Sequence, residues 1–135
     1  MSFGKRDNLV VGVAGDYSFQ FLMEEIAVAV QYRVPYVLIM LNNAYMGLIR
    51  QAELGYDMTF AVDLAYEGPE SGCGIDNLEI MEAMGALGRR VPNPEEIAAA
   101  FEWAVQASEE RSVPALVKIM CERETNATVA ICAAR

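Results

Sequence analysis

The sequence predicts an α/β domain with a parallel sheet flanked by helices, and three observations lead there. Residues 9–14 (Leu-Val-Val-Gly-Val-Ala) and 36–41 (Tyr-Val-Leu-Ile-Met-Leu) are unbroken apolar runs, the pattern of strands buried on both faces of a parallel sheet. Between them the period shifts: Phe19, Leu22, Met23, Ile26 and Val30 recur at steps of three and four, as on one face of a helix. Strand, helix, strand in that order is a unit that makes its strands parallel through a right-handed crossover.

Each element follows from local chemistry. The first strand stops at Gly15-Asp16. A helix is expected over residues 18–32 and ends before Pro35, because the residue preceding proline avoids helical backbone. The second strand stops at Asn42-Asn43. A short helix is expected over residues 44–52, weak periodicity over 57–66, and a loop over 67–74, where Gly, Pro, Ser and acidic residues gather. Asp76, with Glu79 three residues later, forms a capping-box pattern and starts a helix to about Leu87. A short strand is expected at 89–91. Asn93-Pro94-Glu95-Glu96 begins another helix, whose inner face carries Ile97, Phe101, Ala104 and Ser108. Pro114 precedes a strand at 115–120. Residues 125–135 are expected to extend away from the core. There is no internal repeat.

The chain has 135 residues, 54% of them hydrophobic and 21% charged. That suits one compact domain, 1–135, and not a disordered chain. Net charge is −9 and histidine is absent. An acidic chain without a basic cluster is poorly suited to nucleic acid. Without histidine there is no Ser-His-Asp triad, no His-based zinc site and no histidine base. Cys73, Cys121 and Cys132 show no CxxC spacing, and read as reduced thiols of an intracellular protein. The apolar runs are too short for a signal peptide or a membrane span. The expectation is a soluble, cytoplasmic protein with no membrane partner.

In open α/β sheets ligands bind beyond the carboxyl ends of the strands. Two strand ends are polar here: Gly15-Asp16-Tyr17-Ser18 and Asn42-Asn43-Ala44-Tyr45. Asp16 offers a carboxylate and Asn43 an amide oxygen, both hard donors. Mg²⁺ is held in that way, by one or two carboxylates together with ligand phosphates. A helix starting near Ser18 would add free amides and a positive dipole end. The metal would also let a chain of charge −9 hold an anionic ligand. Asp and Asn at strand ends are equally ordinary turn and cap residues, so spacing alone leaves both roles open.

Asn43 lies 27 residues after Asp16. Gly15-Asp16 with Asn42-Asn43 at that distance resembles the signature of the thiamin-diphosphate-dependent enzymes. Most members read Gly-Asp-Gly, where this chain has Tyr17. The stretch from Gly15 through Phe21, Glu24-Glu25, and Asn42 through Gln51 is similar to the glyoxylate carboligase (tartronate-semialdehyde synthase) group. Phe60 to Glu67, Gly72-Cys73-Gly74-Ile75-Asp76 and Glu122-Arg123-Glu124-Thr125-Asn126 agree, so the resemblance runs over about residues 9–128.

The resemblance implies the C-terminal part of a diphosphate-binding (PP) domain. It implies thiamin diphosphate and Mg²⁺ as cofactors, with Asp16, Asn43 and the backbone carbonyl of Tyr45 on the metal. Tyr17 and Ser18 would meet the diphosphate through backbone and hydroxyl, and Gly47 and Leu48 lie in the loop closing over it. The implied reaction is decarboxylative condensation of two glyoxylates. In this family the cofactor sits between two domains, usually of different subunits. The pyrimidine-binding and central domains have no counterpart in these residues. The expectation is therefore a homo-oligomer, a dimer, with little or no turnover by this chain alone. The competing expectation is a non-catalytic module that dimerises without cofactor. Tyr45 and Arg50 read as surface or domain-contact groups, Trp103 as packing, Glu24-Glu25 and Glu109-Glu110 as solvated helix residues, and residues 72–74 as a turn.

Overall fold

The computed structural model describes residues 8–21, 23–44, 46–58 and 75–121, the side chain of residue 54 excepted. Four strands alternate with helices. They are β1 (Val11–Gly15), β2 (Val37–Asn42), β3 (Leu87–Val91) and β4 (Ala115–Met120), all parallel, in the order β1-β2-β4-β3. The helices are α1 (Asp16–Phe21), α2 (Glu25–Gln31), α3 (Gly47–Gly55), α4 (Asn77–Ala83) and α5 (Ile97–Arg111), with a 3₁₀ turn at Pro94–Glu96 leading into α5. This is the expected parallel α/β architecture.

Two cores sandwich the sheet. On one face Phe19 of α1, Ile26 of α2 and Met81 of α4 pack with Met40 and Leu116 of the strands. On the other, Ala100 and Ala104 of α5 pack on Val37, Val91, Ala115 and Val117. Alternate strand residues feed the two faces, as the period of two requires. The small residues on α5 bring that helix close to the central strands.

Several local expectations need correction. The continuous helix over 18–32 is two helices, and the first begins at Asp16. Its start moves back because Asp16 Oδ1 accepts the Tyr17 N–H at 2.8 Å. The second begins afresh where Glu24 and Glu25 lie, a place where carboxylates suit a helix N-terminus. It ends at Gln31, before Pro35 acts, with Arg33 in the left-handed region. The Asp76 cap is present, its Oδ1 accepting from Leu78 and Glu79 N–H groups at 2.9 and 3.3 Å. That helix ends at Ala83 and not near Leu87, because Gly85 at φ 84° turns the chain out of it. β3 starts at Leu87, two residues earlier than expected, and its inner positions include Gly88 against Leu78. Asn93 precedes the last helix, but its side chain donates to Glu96 Oε1 at 2.7 Å and caps no amide. Of the inner face expected for α5, Ala104 and Ser108 are buried, Ile97 and Phe101 only partly so, and Ala100 is the buried residue not foreseen. Residues 115–120 form a strand as expected.

The largest difference is in β1. A strand buried on both faces was expected, yet Val11 is 41% exposed and Val13 66%. Among the described residues β1 has one neighbour, β2, and no helix covers its α5 side. The apolar run marks a strand that has cover to gain, and the described residues supply cover on one face only. The expectations for residues 59–74 and 122–135, including the loop, the 72–74 turn and the C-terminal extension, lie outside the described residues.

Candidate functional site

β1 and β2 are adjacent and parallel, with Gly15 in register with Leu41. Their carboxyl ends therefore lie side by side. Asp16 follows β1 directly and is 4% exposed. Its Oδ2 accepts the N–H of Ala44 at 2.6 Å, and its Oδ1 that of Tyr17. One carboxylate thus ties the end of β1 to the turn after β2. Ala44 has φ 61°, a left-handed conformation that costs a non-glycine residue about 1–2 kcal/mol. The bond from Asp16 holds that turn in place.

Asn43 stands next to Ala44 at this junction, half-buried. Asn42, the last residue of β2, is buried, with Nδ2 3.6 Å from Met120 Sδ. Asn43 follows the last residue of β2 and so stands beyond the strand end. Tyr17 is half-buried and Ser18 exposed, both in the first turn of α1. The Tyr17 amide donates to Asp16 Oδ1 at 2.8 Å. Gly47 and Leu48 open α3, three and four residues after Ala44, with Leu48 exposed. Tyr45 lies outside the described residues. Asp16, Tyr17 and Ser18 thus follow the end of β1, and Asn43 the adjacent end of β2, with Gly47 and Leu48 further along the same segment. The expected long helix dipole behind Ser18 is absent, since α1 has only 6 residues.

The donor set can be tested against Mg²⁺. Each Asp16 oxygen accepts one N–H and retains lone-pair capacity for a second partner. No Lys or Arg among the described residues forms an ion pair with Asp16. No group of three or more His, Cys, Asp or Glu gathers among those residues to hold a metal without help. A single buried carboxylate beside an amide oxygen fits an ion that takes its remaining ligands from phosphate and water.

Four further polar groups carried weak signals or none in the sequence. Cys121 follows β4, its N–H donating to Asn42 O at 2.8 Å. Burial pushes its thiol up, the backbone bond at Asn42 opposes that, and the charge of Asp16 adds to it. Lys118, fully buried, interrupts the apolar run of β4, which is the one sequence sign it gives. Asn77 is buried in the first turn of α4 with Nδ2 unpartnered. Glu53 of α3 is buried with Oε2 3.3 Å from Arg50 Nη1, and nothing in a helical pattern distinguishes it from a solvated glutamate.

A parallel α/β domain with polar residues at the carboxyl ends of adjacent strands defines a class that binds its ligands beyond those ends. Residues 1–119 match the family described as "Thiamine pyrophosphate enzyme, C-terminal TPP binding domain". The chain belongs to this family of thiamin-diphosphate-dependent enzymes. It is 44% identical to glyoxylate carboligase of Escherichia coli O157:H7 over 121 residues, covering 87% of this chain and 20% of that protein. It is 30% identical to the acetolactate synthase large subunit of Haemophilus influenzae over 102 residues, 73% of this chain and 16% of the relative. Among solved structures it is similar to the thiamine diphosphate-dependent 4-hydroxybenzoylformate decarboxylase of Rhodococcus jostii RHA1. There the TM-score is 0.70 at 28% identity, over 86% of this chain and 20% of that one. Benzoylformate decarboxylase of Polynucleobacter necessarius shares the fold at TM-score 0.67 and 21% identity, over 88% of this chain and 20% of that one. The chain thus spans about a fifth of the length of the glyoxylate carboligase it matches. Among the described residues no helix is long and apolar enough to cross a membrane.

Proposed function

We propose that this chain is the diphosphate-anchoring part of a glyoxylate carboligase-like enzyme, holding Mg²⁺ through Asp16 and Asn43. The carrying observation is the Asp16 carboxylate, buried and bonded to the amides of two strand ends. A carboxylate fixed by backbone cannot swing away, so it stands preorganised for a cation. Asn43 would add its amide oxygen, Tyr45 its carbonyl, and Ser18 a hydroxyl toward the diphosphate. The exposed start of α3 at Gly47 and Leu48 would shield the anion from water. When bound, thiamin diphosphate supplies the electron sink for cleaving and forming the bond next to a carbonyl. The residues of this chain orient it. Condensation of two glyoxylates is the reaction proposed for a complete enzyme of this kind, located in the cytoplasm.

Titration calorimetry with thiamin diphosphate, with and without Mg²⁺, tests the anchor. Expected is saturable binding that requires the metal and disappears in Asp16→Ala. Binding that ignores both the metal and Asp16 would sink the assignment. No turnover of glyoxylate is expected from the chain by itself, and product formation by the purified chain would overturn that expectation.

A second reading, a module that associates without cofactor, is favoured by one observation: the exposed apolar residues of β1. Absence of binding in the calorimeter together with dimers in sedimentation would select it.

A further inference from the structure

We propose that Ala44 is a positioning residue of the cofactor anchor: its left-handed backbone, held by Asp16, aligns Asn43 and Tyr45 for the metal. On the cofactor reading, on which this rests, Ala44 ligates nothing and shapes the site.

Ala44 joins the two donors assigned after β2, Asn43 and Tyr45. Its φ is 61°, in a region where an L side chain meets a roughly tenfold bias against it. Its N–H donates to Asp16 Oδ2 at 2.6 Å, and the residue is 4% exposed. Strain of this kind persists where the surroundings over-determine the backbone, and it gathers at ligand clamps. Here the group that holds the strained residue is itself a proposed metal ligand.

An unstrained alternative exists. Glycine takes this conformation without bias, as Gly85 does after α4. Ala44 does not close a helix, as the left-handed residues Arg33 and Ser112 do; it lies between β2 and α3. Its two soft dihedrals set the angle between the peptide that leaves Asn43 and the one that enters Tyr45. The Asp16 bond pins the first of these planes. A move of Ala44 to another well would then swing the Tyr45 carbonyl away, or break the bond to keep the chain path. Either way the donors would no longer converge on one ion. Mg²⁺ demands near-ideal octahedral geometry and tolerates little of this.

Two substitutions separate backbone from bulk. Asparagine carries more heavy atoms than threonine, yet it tolerates left-handed backbone. Threonine is β-branched and resists it. Calorimetry of the full chain with thiamin diphosphate at saturating Mg²⁺ is expected to show Ala44→Thr weaker than wild type by about tenfold or more, and Ala44→Asn within about threefold. Circular dichroism checks that each variant keeps its fold. Amide exchange reads the turn without any ligand, and stands even where Ala44→Thr fails to fold. The residue 44 amide should exchange slowly in the wild type and faster in Asp16→Ala. Equal losses in Ala44→Asn and Ala44→Thr, no loss in Ala44→Thr, or an exchange rate that Asp16→Ala leaves unchanged would each overturn this proposal alone. Absence of metal-dependent binding in the wild type would instead remove the cofactor reading and this proposal together.

Discussion

Asp16 gathers amides from its own successor and from Ala44, 28 residues further along the chain. Removing it costs more than a metal ligand. Asp16→Ala should lower unfolding stability by about 2–3 kcal/mol, as expected for losing bonds to a charged acceptor and leaving the buried Ala44 amide unpaired. Urea denaturation measures this, and an unchanged midpoint would contradict the tie between strand ends. Cys121 offers a second residue-level prediction. Its raised thiol keeps its proton at a pH where an unfolded thiol has lost it. That contribution to stability is whole below the unfolded thiol's range and declines as pH rises through it. With Cys73 and Cys132 changed to Ser, iodoacetamide should modify folded Cys121 with a higher pH midpoint than the denatured chain. Asp16→Asn should bring that midpoint down by removing a neighbouring charge. At this scale the sequence was most legible where a residue ends a strand, since position alone makes Asp16 and Asn43 stand out. Lys118, Asn77 and Glu53 were opaque, because a charged or polar letter within a helix or strand does not reveal its burial.

Helix endings show how elements are written. α2, α4 and α5 close alike, with bonds of 2.9–3.3 Å donated by two consecutive residues at each end: Arg33 and Val34, Gly85 and Ala86, Ser112 and Val113. In each the first of these is left-handed, with φ of 52°, 84° and 54°. Only Gly85 accepts that conformation without strain. Ser112→Gly should therefore raise stability by about 0.5–1 kcal/mol, and Gly85→Ala should lower it by about 1 kcal/mol. Gly85→Ala is further penalised because an added Cβ would sit 3.3 Å from Val30 Cγ1. Thermal melts of the two variants should shift in opposite directions, and shifts of the same sign would refute the account. Glycine marks one such ending in the sequence. Arg33 and Ser112 are invisible to a glycine rule, so the end of α2 was attributed to Pro35. The interruption before Glu25 was missed for a related reason. The apolar spacing of Phe19, Met23 and Ile26 runs on through it, as both helices face the same core.

At the scale of the whole molecule, the sheet order and the two cores follow from an alternation of strand and helix that periodicity revealed. Exposure could not be read in the same way. An apolar run records what a strand is built to bury, while the neighbours present decide what it does bury, and β1 has one among the described residues. That strand carries Asp16 at its carboxyl end and the open apolar strip along its length. If it loosens locally, both surfaces lose shape together. Anything that binds the folded form alone stabilises it by mass action, about 2.7 kcal/mol at a hundredfold excess over its dissociation constant. Mg²⁺ with thiamin diphosphate should raise the melting temperature and slow amide exchange in β1 most. The effect must run both ways, because coupling free energies are reciprocal. A change that firms β1 should tighten cofactor binding, and bound cofactor should firm β1 by the same free energy. Through one strand, the stiffness of the sheet sets the affinity of the site at its end.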